Sequence, residues 1–164
     1  NILGVLPYVE TLSTPTVRLI KDELRLKLLC GEAGLDNNVK KILIGAMEPH
    51  NALNYIVEGS LIITPGDRED IILASVSSHT LREREFAHIA GLVLTGNLRP
   101  QKTIFGLLKR ANIPVLLSPD DTYMAASKIH DLIVKVQPQD KEKIFTIVDL
   151  VERYIDIDKI LNSL

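Results

Sequence analysis

Short apolar segments alternate with amphipathic segments along most of the chain, and turns rich in Gly, Pro and polar residues separate them. Residues 61–72 show the pattern well: an apolar run reaches Ile63, Pro65-Gly66 interrupts it, and a charged-then-apolar segment begins at Asp67. This order predicts a strand buried on both faces, a tight turn, and a helix whose N-cap is Asp67. Open α/β sheets bind ligands at such junctions, although an ordinary βα corner has the same parts and is the more frequent outcome.

The same pattern predicts further strands and helices along the chain. The strands are 2–7, 27–30, 39–47, 61–64, 89–95 and 114–117. A first helix is capped by Ser13 or Thr14, with Pro15 in its first turn, and later helices occupy about 49–57, 68–78, 101–112, 123–134 and 144–154. This alternation predicts an α/β fold, a three-layer α/β/α domain with a largely parallel or mixed sheet of about five to six strands.

Two regions depart from the regular alternation. Residues 1–134 are expected to form the α/β domain, and residues 135–164 a helical extension packed on the same domain. Residues 79–88 differ in composition and contain the charged run 81–86, which is typical of a surface segment. Because the chain begins at Asn1 rather than Met, we expect either a domain of a longer protein or a processed chain.

Composition restricts the classes of function. A length of 164 residues, an apolar fraction of 46% and a charged fraction of 24% are typical of one soluble globular domain. The net charge of −2 and the absence of a basic run argue against a nucleic-acid partner. No apolar run approaches the ~18 residues of a membrane span and no signal peptide is present, so a cytoplasmic protein is expected. The single cysteine, Cys30, excludes an internal disulfide and favours a buried structural thiol.

Polar or small residues follow four of the predicted strands. In a parallel sheet these strand ends lie along one edge, where a ligand would bind. Arg68 and Arg99 are the best candidates to hold an anion, with a surface salt bridge as the alternative for each. Asp120 and Asp121 are expected to cap a helix, with a polar ligand as the alternative. The candidate ligand-binding residues are Gly45, Thr64, Gly66, Asp67, Arg68, Thr95, Gly96, Arg99, Asp120, Asp121 and Thr122.

Familiar catalytic motifs are missing. The sequence contains no Walker loop, no G-x-G-x-x-G, no G-x-S-x-G and no H-E-x-x-H, and its four histidines stand at no metal-ligand spacing. We therefore predict no catalytic residues, no metal and no cofactor. A binding or regulatory module is favoured over an autonomous enzyme.

Several segments together resemble the DRTGG domain. They span residues 2–134 in matching order: Val5-Leu6-Pro7-Tyr8, Leu12 to Val17, Ile44-Gly45-Ala46-Met47, Ile63 to Asp70, Gly91 to Gly96 with Leu98-Arg99-Pro100, and Val115 to Leu117 with Pro119 to Tyr123. The name motif itself differs, because Asp67-Arg68 is followed by Glu69-Asp70 instead of Thr-Gly-Gly. This variant resembles the domain found in the middle of long bacterial phosphate acetyltransferases.

The resemblance implies a domain context. Such domains lie between a P-loop domain similar to dethiobiotin synthetase and an acetyltransferase domain, and related ones accompany CBS domains in pyrophosphatases or resemble a domain of HPr kinase. A non-catalytic regulatory, ligand-sensing or oligomerisation domain of acetyl-CoA and acetyl phosphate metabolism is therefore expected, with a homodimer and a small metabolite or nucleotide as partners. Two alternatives stay open. The first is an enzyme site for a phosphate or acyl-phosphate compound at Asp67, Arg68, Asp120 and Asp121, and the second is a structural spacer.

Overall fold

The structure is a computed structural model that describes residues 4–80, 88–138 and 140–161. Its strands are β1 (Lys27–Cys30), β2 (Lys41–Ile44), β3 (Ser60–Pro65), β4 (Gly91–Thr95) and β5 (Val115–Leu117). Its α-helices are α1 (Glu10–Ser13), α2 (Val17–Glu23), α3 (Pro49–Leu53), α4 (Glu69–Thr80), α5 (Lys102–Ala111), α6 (Thr122–His130), α7 (Lys141–Tyr154) and α8 (Ile157–Leu161). A 3₁₀ turn at Glu32–Gly34 follows β1.

A five-stranded mixed sheet organises the larger of two compact units, Pro15–Leu132. The strand order is β1-β5-β4-β3-β2, with β2 to β5 parallel and β1 antiparallel to β5. Neighbouring parallel strands are consecutive in sequence, and each connection carries one helix. Because such crossovers are right-handed, α3, α4 and α5 lie on one face of the sheet. The predicted α/β fold with a mostly parallel sheet is confirmed.

Two apolar layers, one on each face of the sheet, explain why the strands read as continuous apolar runs. In β3, Ile62 belongs to the layer beneath α3, α4 and α5, whereas Leu61 and Ile63 belong to the layer beneath α2 and α6. All three side chains are buried, at 1% exposure or less. Since alternate residues of a strand point to opposite faces, a central strand covered on both faces needs an apolar residue at every position.

The structure corrects several predicted elements. Residues 4–9 form no strand; Gly4 makes a single bridge with Ile155, and residues 1–3 lie outside the described part of the chain. An apolar run becomes a strand only where a neighbouring strand pairs with it, which the pattern alone does not determine. The first long helix is capped by Thr16, whose hydroxyl accepts from the Leu19 N–H at 3.2 Å, rather than by Ser13 or Thr14.

Smaller differences concern the ends of elements. Helix α3 ends at Leu53, and helix α6 ends at His130, each four residues before its predicted end. Helix α4 begins at Glu69, so Arg68 rather than Asp67 immediately precedes it. Most of the charged segment predicted for the surface, residues 81–87, lies outside the described residues.

The second compact unit comprises the described residues of Asn1–Thr14 and Ile133–Leu164. It contains α1, α7 and α8, and the Lys143 ammonium group donates to the Thr14 carbonyl. The helix predicted at 144–154 is present as α7. That this region packs on the α/β domain stays a prediction. Within the described residues, no helix is both long and apolar enough to cross a bilayer.

Candidate functional site

The four parallel strands end along one edge of the sheet, which we call the carboxyl edge. It consists of the loops after β2, β3, β4 and β5, at residues 45–48, 66–68, 96–101 and 118–121. All eleven candidate residues lie on these loops or on the strand and helix ends beside them. Their contacts differ, and these contacts decide which of them remain available to a ligand.

The three candidate threonines bond within the protein. The buried Thr64 hydroxyl donates to the Gly45 carbonyl at 3.2 Å, which joins β3 to the loop after β2. The hydroxyls of Thr95 and Thr122 lie 2.8 Å apart and form a hydrogen bond between the end of β4 and the start of α6. These bonds stabilise the carboxyl edge, and each of the three hydroxyls already has a partner within the protein.

Gly66 is needed for a close approach of two backbones. A Cβ at this position would lie 1.9 Å from the Leu98 carbonyl oxygen, far inside van der Waals contact. The loop after β3 therefore packs directly on the loop after β4. Gly96, with φ of +71°, and Asn97, with φ of +55°, turn that second loop through left-handed backbone conformations.

Arg68 forms a surface ion pair, which was the predicted alternative to binding an anion. Its guanidinium donates to both carboxylate oxygens of Asp70 at 2.9 Å and to the Met47 carbonyl at 3.0 Å. The hydrogen bond from Arg68 lowers the pKa of the Asp70 carboxyl below its usual range. Exposed pairs of this kind contribute roughly 0–1 kcal/mol, so the main effect is to tie the loop after β2 to the start of α4.

The two adjacent aspartates have separate roles. Asp121 is the N-cap of α6 and accepts from the Met124 N–H at 2.9 Å, as its pattern predicted. Asp120 instead pairs with Lys128, eight residues further along the chain in α6, at 2.8 Å. Neither carboxylate is left to form a paired acidic site with the other.

Arg99 differs from these residues because its side chain is exposed and pairs with no described residue. It lies just before α5, whose N-cap, Gln101, makes no side-chain cap. The Gln101 N–H donates to Glu69 Oε1 at 2.8 Å, which fixes the start of the helix against α4. The remaining N–H groups of the first turn, beside an arginine, are suited to an anion. Asp67, also exposed, forms no side-chain hydrogen bond or ion pair with a described residue.

Sequence reasoning missed a polar cavity at the opposite edge of the sheet, where β2, β3 and β4 begin. His79 and His88 stand at no metal-ligand spacing along the chain, but their rings lie 4.9 Å apart, edge to face, in the wall of this cavity. Spacing along the chain could not reveal the pair, because the two residues belong to different elements. The weak signal was a histidine on each side of one charged segment.

The fold and these loops define a three-layer α/β domain whose parallel strands end in loops that are joined to one another by hydrogen bonds and ion pairs. The DRTGG domain family matches residues 20–132, and the chain belongs to this family. Where the chain departs from the name motif of the family, Asp70 pairs with Arg68, and Glu69 accepts from the Gln101 N–H.

Curated relatives extend the comparison. Phosphate acetyltransferases of Nitratidesulfovibrio vulgaris, Synechocystis and Pseudomonas putida share 39%, 34% and 30% sequence identity with this chain. The three alignments cover 93%, 99% and 95% of the chain, in the same order. The chain spans less than a quarter of their lengths, 22%, 24% and 22%.

A solved structure is also similar: the CBS and DRTGG domains of the regulatory region of Clostridium perfringens pyrophosphatase, complexed with the activator diadenosine tetraphosphate. Identity is 26% and the TM-score is 0.55, over 73% of this chain and 50% of that one.

Proposed function

We propose that this chain is a non-catalytic regulatory domain that senses a small anionic metabolite or nucleotide within a phosphate acetyltransferase-like protein. Membership of the DRTGG family and similarity to 22% and 24% of the length of two named phosphate acetyltransferases support that context. The similar pyrophosphatase region, solved with a nucleotide activator, supports a ligand-dependent role. Flanking P-loop and acetyltransferase domains in the parent chain, and a role in acetyl-CoA and acetyl phosphate metabolism, belong to the same proposal.

The observation that carries the ligand site is the state of the charged groups at the carboxyl edge. Arg68 and Asp120 are engaged in ion pairs and Asp121 is a helix cap, whereas Arg99 pairs with no described residue. An anionic group at the start of α5 would receive charge-assisted hydrogen bonds from Arg99 and from the first-turn N–H groups that Glu69 does not occupy. The candidates that already bond or pack within the protein, such as Thr64, Thr95 and Gly66, would hold the loops in place for this anionic group.

This arrangement also weighs against an enzyme site at Asp67, Arg68, Asp120 and Asp121. Three of the four side chains already have structural partners. A reaction at these residues would have to use side chains that already hold the loops and the start of α6 in place. Regulation through binding at Arg99 requires no such change.

Binding is tested with the 164-residue chain by thermal shift and titration calorimetry against pyruvate, phosphoenolpyruvate, NADH, ATP, AMP, coenzyme A and acetyl phosphate. One compound is expected to stabilise the protein. Arg99→Gln is then expected to weaken its binding by about tenfold to a hundredfold, the equivalent of a charge-assisted hydrogen bond worth roughly 1.5–3 kcal/mol.

Arg110→Gln is the matched control, since it makes the same charge change at the opposite end of α5. Equal binding by wild type and Arg99→Gln would refute the site. If none of the seven compounds bound, the sensing role itself would be refuted.

Homodimerisation is the second candidate role. Large apolar side chains remain exposed at the carboxyl edge, with Leu98 42% and Tyr123 77% accessible. Two-fold symmetric dimers are the commonest oligomers. Light scattering on the same samples should give the mass of a dimer, and a strictly monomeric chain would exclude this role.

A further inference from the structure

The cavity at the amino edge of the sheet has the size and the polarity of a small-molecule site. Its volume is about 430 Å³, within the roughly 300–1,000 Å³ range of ligand pockets. The residues that lead into β2, β3 and β4 form part of its wall, and His79 in the last turn of α4 forms another part. It therefore lies at the opposite ends of the strands from Arg99.

Backbone hydrogen bonds preform the wall of this cavity. The Gly59 N–H donates to the His88 carbonyl at 2.9 Å, and the Lys40 N–H donates to the Gly59 carbonyl at 3.0 Å. The His88 N–H in turn donates to Glu58 Oε2 at 2.9 Å, which fixes one oxygen of that carboxylate. Gly59 itself has φ of +78°, a conformation that favours glycine.

Residues of opposite charge line the cavity without pairing to each other. Lys40 and Glu58 both line it, yet no ion pair within 4.0 Å joins them or joins Lys40 to any other described carboxylate. The third charged residue of the wall, Asp36, is already held by Arg18 at 2.7 Å. One ammonium group and the second oxygen of one carboxylate are therefore available to a ligand.

His79 contributes neutral surface rather than further charge. Burial, together with the neighbouring His88, lowers the pKa of His79, and the charge of Glu58 opposes this only in part. His79 Nδ1 is buried and has no hydrogen-bond partner among the described residues. Within the part of the chain that the structure describes, no three His, Cys, Asp or Glu side chains are placed to hold a metal ion.

We propose that this cavity is a second small-molecule site, for a zwitterionic compound that carries an anionic group and a protonated amine. The carboxylate or phosphate group of the compound pairs with Lys40, and its ammonium group donates to Glu58. A compound that bears both groups pairs with Lys40 and Glu58 at the same time. A compound with only one of the groups leaves either Lys40 or Glu58 without an oppositely charged partner. The 430 Å³ of the cavity accommodates a molecule of amino-acid size or larger.

The test uses phosphoethanolamine and γ-aminobutyrate as probes, with phosphate, butyrate and butylamine as single-group controls. Titration is followed in the 164-residue chain through the imidazole ¹H–¹⁵N resonances of His79 and His88. The zwitterions are expected to shift these resonances in a saturable way and to bind about tenfold or more tightly than each single-group compound.

Two conservative variants separate binding from folding. Lys40→Met keeps the aliphatic stem that lies against Gly59, and Glu58→Gln keeps an oxygen to accept from the His88 N–H. Each is expected to weaken zwitterion binding by about tenfold. Lys102→Met and Glu48→Gln make the same charge changes at the carboxyl edge and should leave zwitterion binding unaltered.

Absence of any shift up to millimolar zwitterion, equal binding of the single-group compounds, or unchanged binding by both cavity variants would each overturn the proposal. Arg99→Gln should have no effect on these titrations, so that failure at one edge of the sheet is distinguishable from failure at the other.

Discussion

Replacement of Gly66 by alanine is expected to destabilise the protein strongly, because the two loops that meet there are in backbone contact. The added Cβ would lie 1.9 Å from the Leu98 carbonyl oxygen and 2.4 Å from its carbonyl carbon. It would fall about 1.5 Å short of the 3.4 Å at which ordinary contact begins. The opposing atoms are backbone, so no side chain can rotate away.

The magnitude follows from how firmly the opposing loop is held. The Asn97 N–H donates to the Ser118 carbonyl at 2.9 Å, and the Gln101 N–H donates to Glu69 at 2.8 Å. Separating the loops therefore strains hydrogen bonds on both sides of Leu98. Overpacking typically costs 1–3 kcal/mol, and this site should lie near the upper end, about 3 kcal/mol. For a chain of this size, that corresponds to a fall in Tm of roughly 6–12 °C.

Gly106→Ala is the matched control, since Gly106 lies within α5 and a Cβ there would have no atom within 4 Å. Alanine has the higher helix propensity, so this variant should gain about 0.5–1 kcal/mol. Urea denaturation and differential scanning calorimetry of both variants would measure the contrast. A Gly66→Ala protein as stable as wild type would refute the close approach of the two loops.

Two further predictions concern pH and capping. The folded pKa of His79 is lowered, so its contribution to stability is complete above the unfolded value of about 6.5 and is lost as the pH falls from there through the folded pKa. Urea denaturation between pH 8 and 5 should show this loss of stability in wild type and in the control His50→Gln, since His50 is exposed. The loss should be smaller in His79→Gln, and identical profiles in all three proteins would contradict the assignment. Asp121→Ala should lower the free energy of unfolding by about 1 kcal/mol, because it removes the α6 cap on the Met124 N–H. Asp121→Asn should keep most of that stability. Equal stability of Asp121→Ala and wild type by the same method would show that the cap is dispensable.

Local pattern predicted the central elements of the α/β unit well. Strand β3 was expected at 61–64 and occupies Ser60–Pro65, and helix α5 was expected at 101–112 and occupies Lys102–Ala111. Both are central or strongly amphipathic, so burial and periodicity agree along their whole length. The segment at 2–7 has the same apolar character, but residues 4–7 pair with no neighbouring strand. Strand pairing is a long-range property that composition does not encode.

The sequence by itself determined the alternation of strands and helices, and with it the edge at which the small and polar turn residues collect. Only the tertiary structure decided what those residues do. Arg68 bonds to the Met47 carbonyl, 21 positions earlier in the chain, and Thr95 bonds to Thr122, 27 positions later. Two further features depend on such contacts: which of the two arginines has no partner among the described residues, and which histidines meet at the amino edge. Periodicity specifies which face of an element is buried, whereas the residue that lies opposite a side chain is chosen by the packing of distant segments.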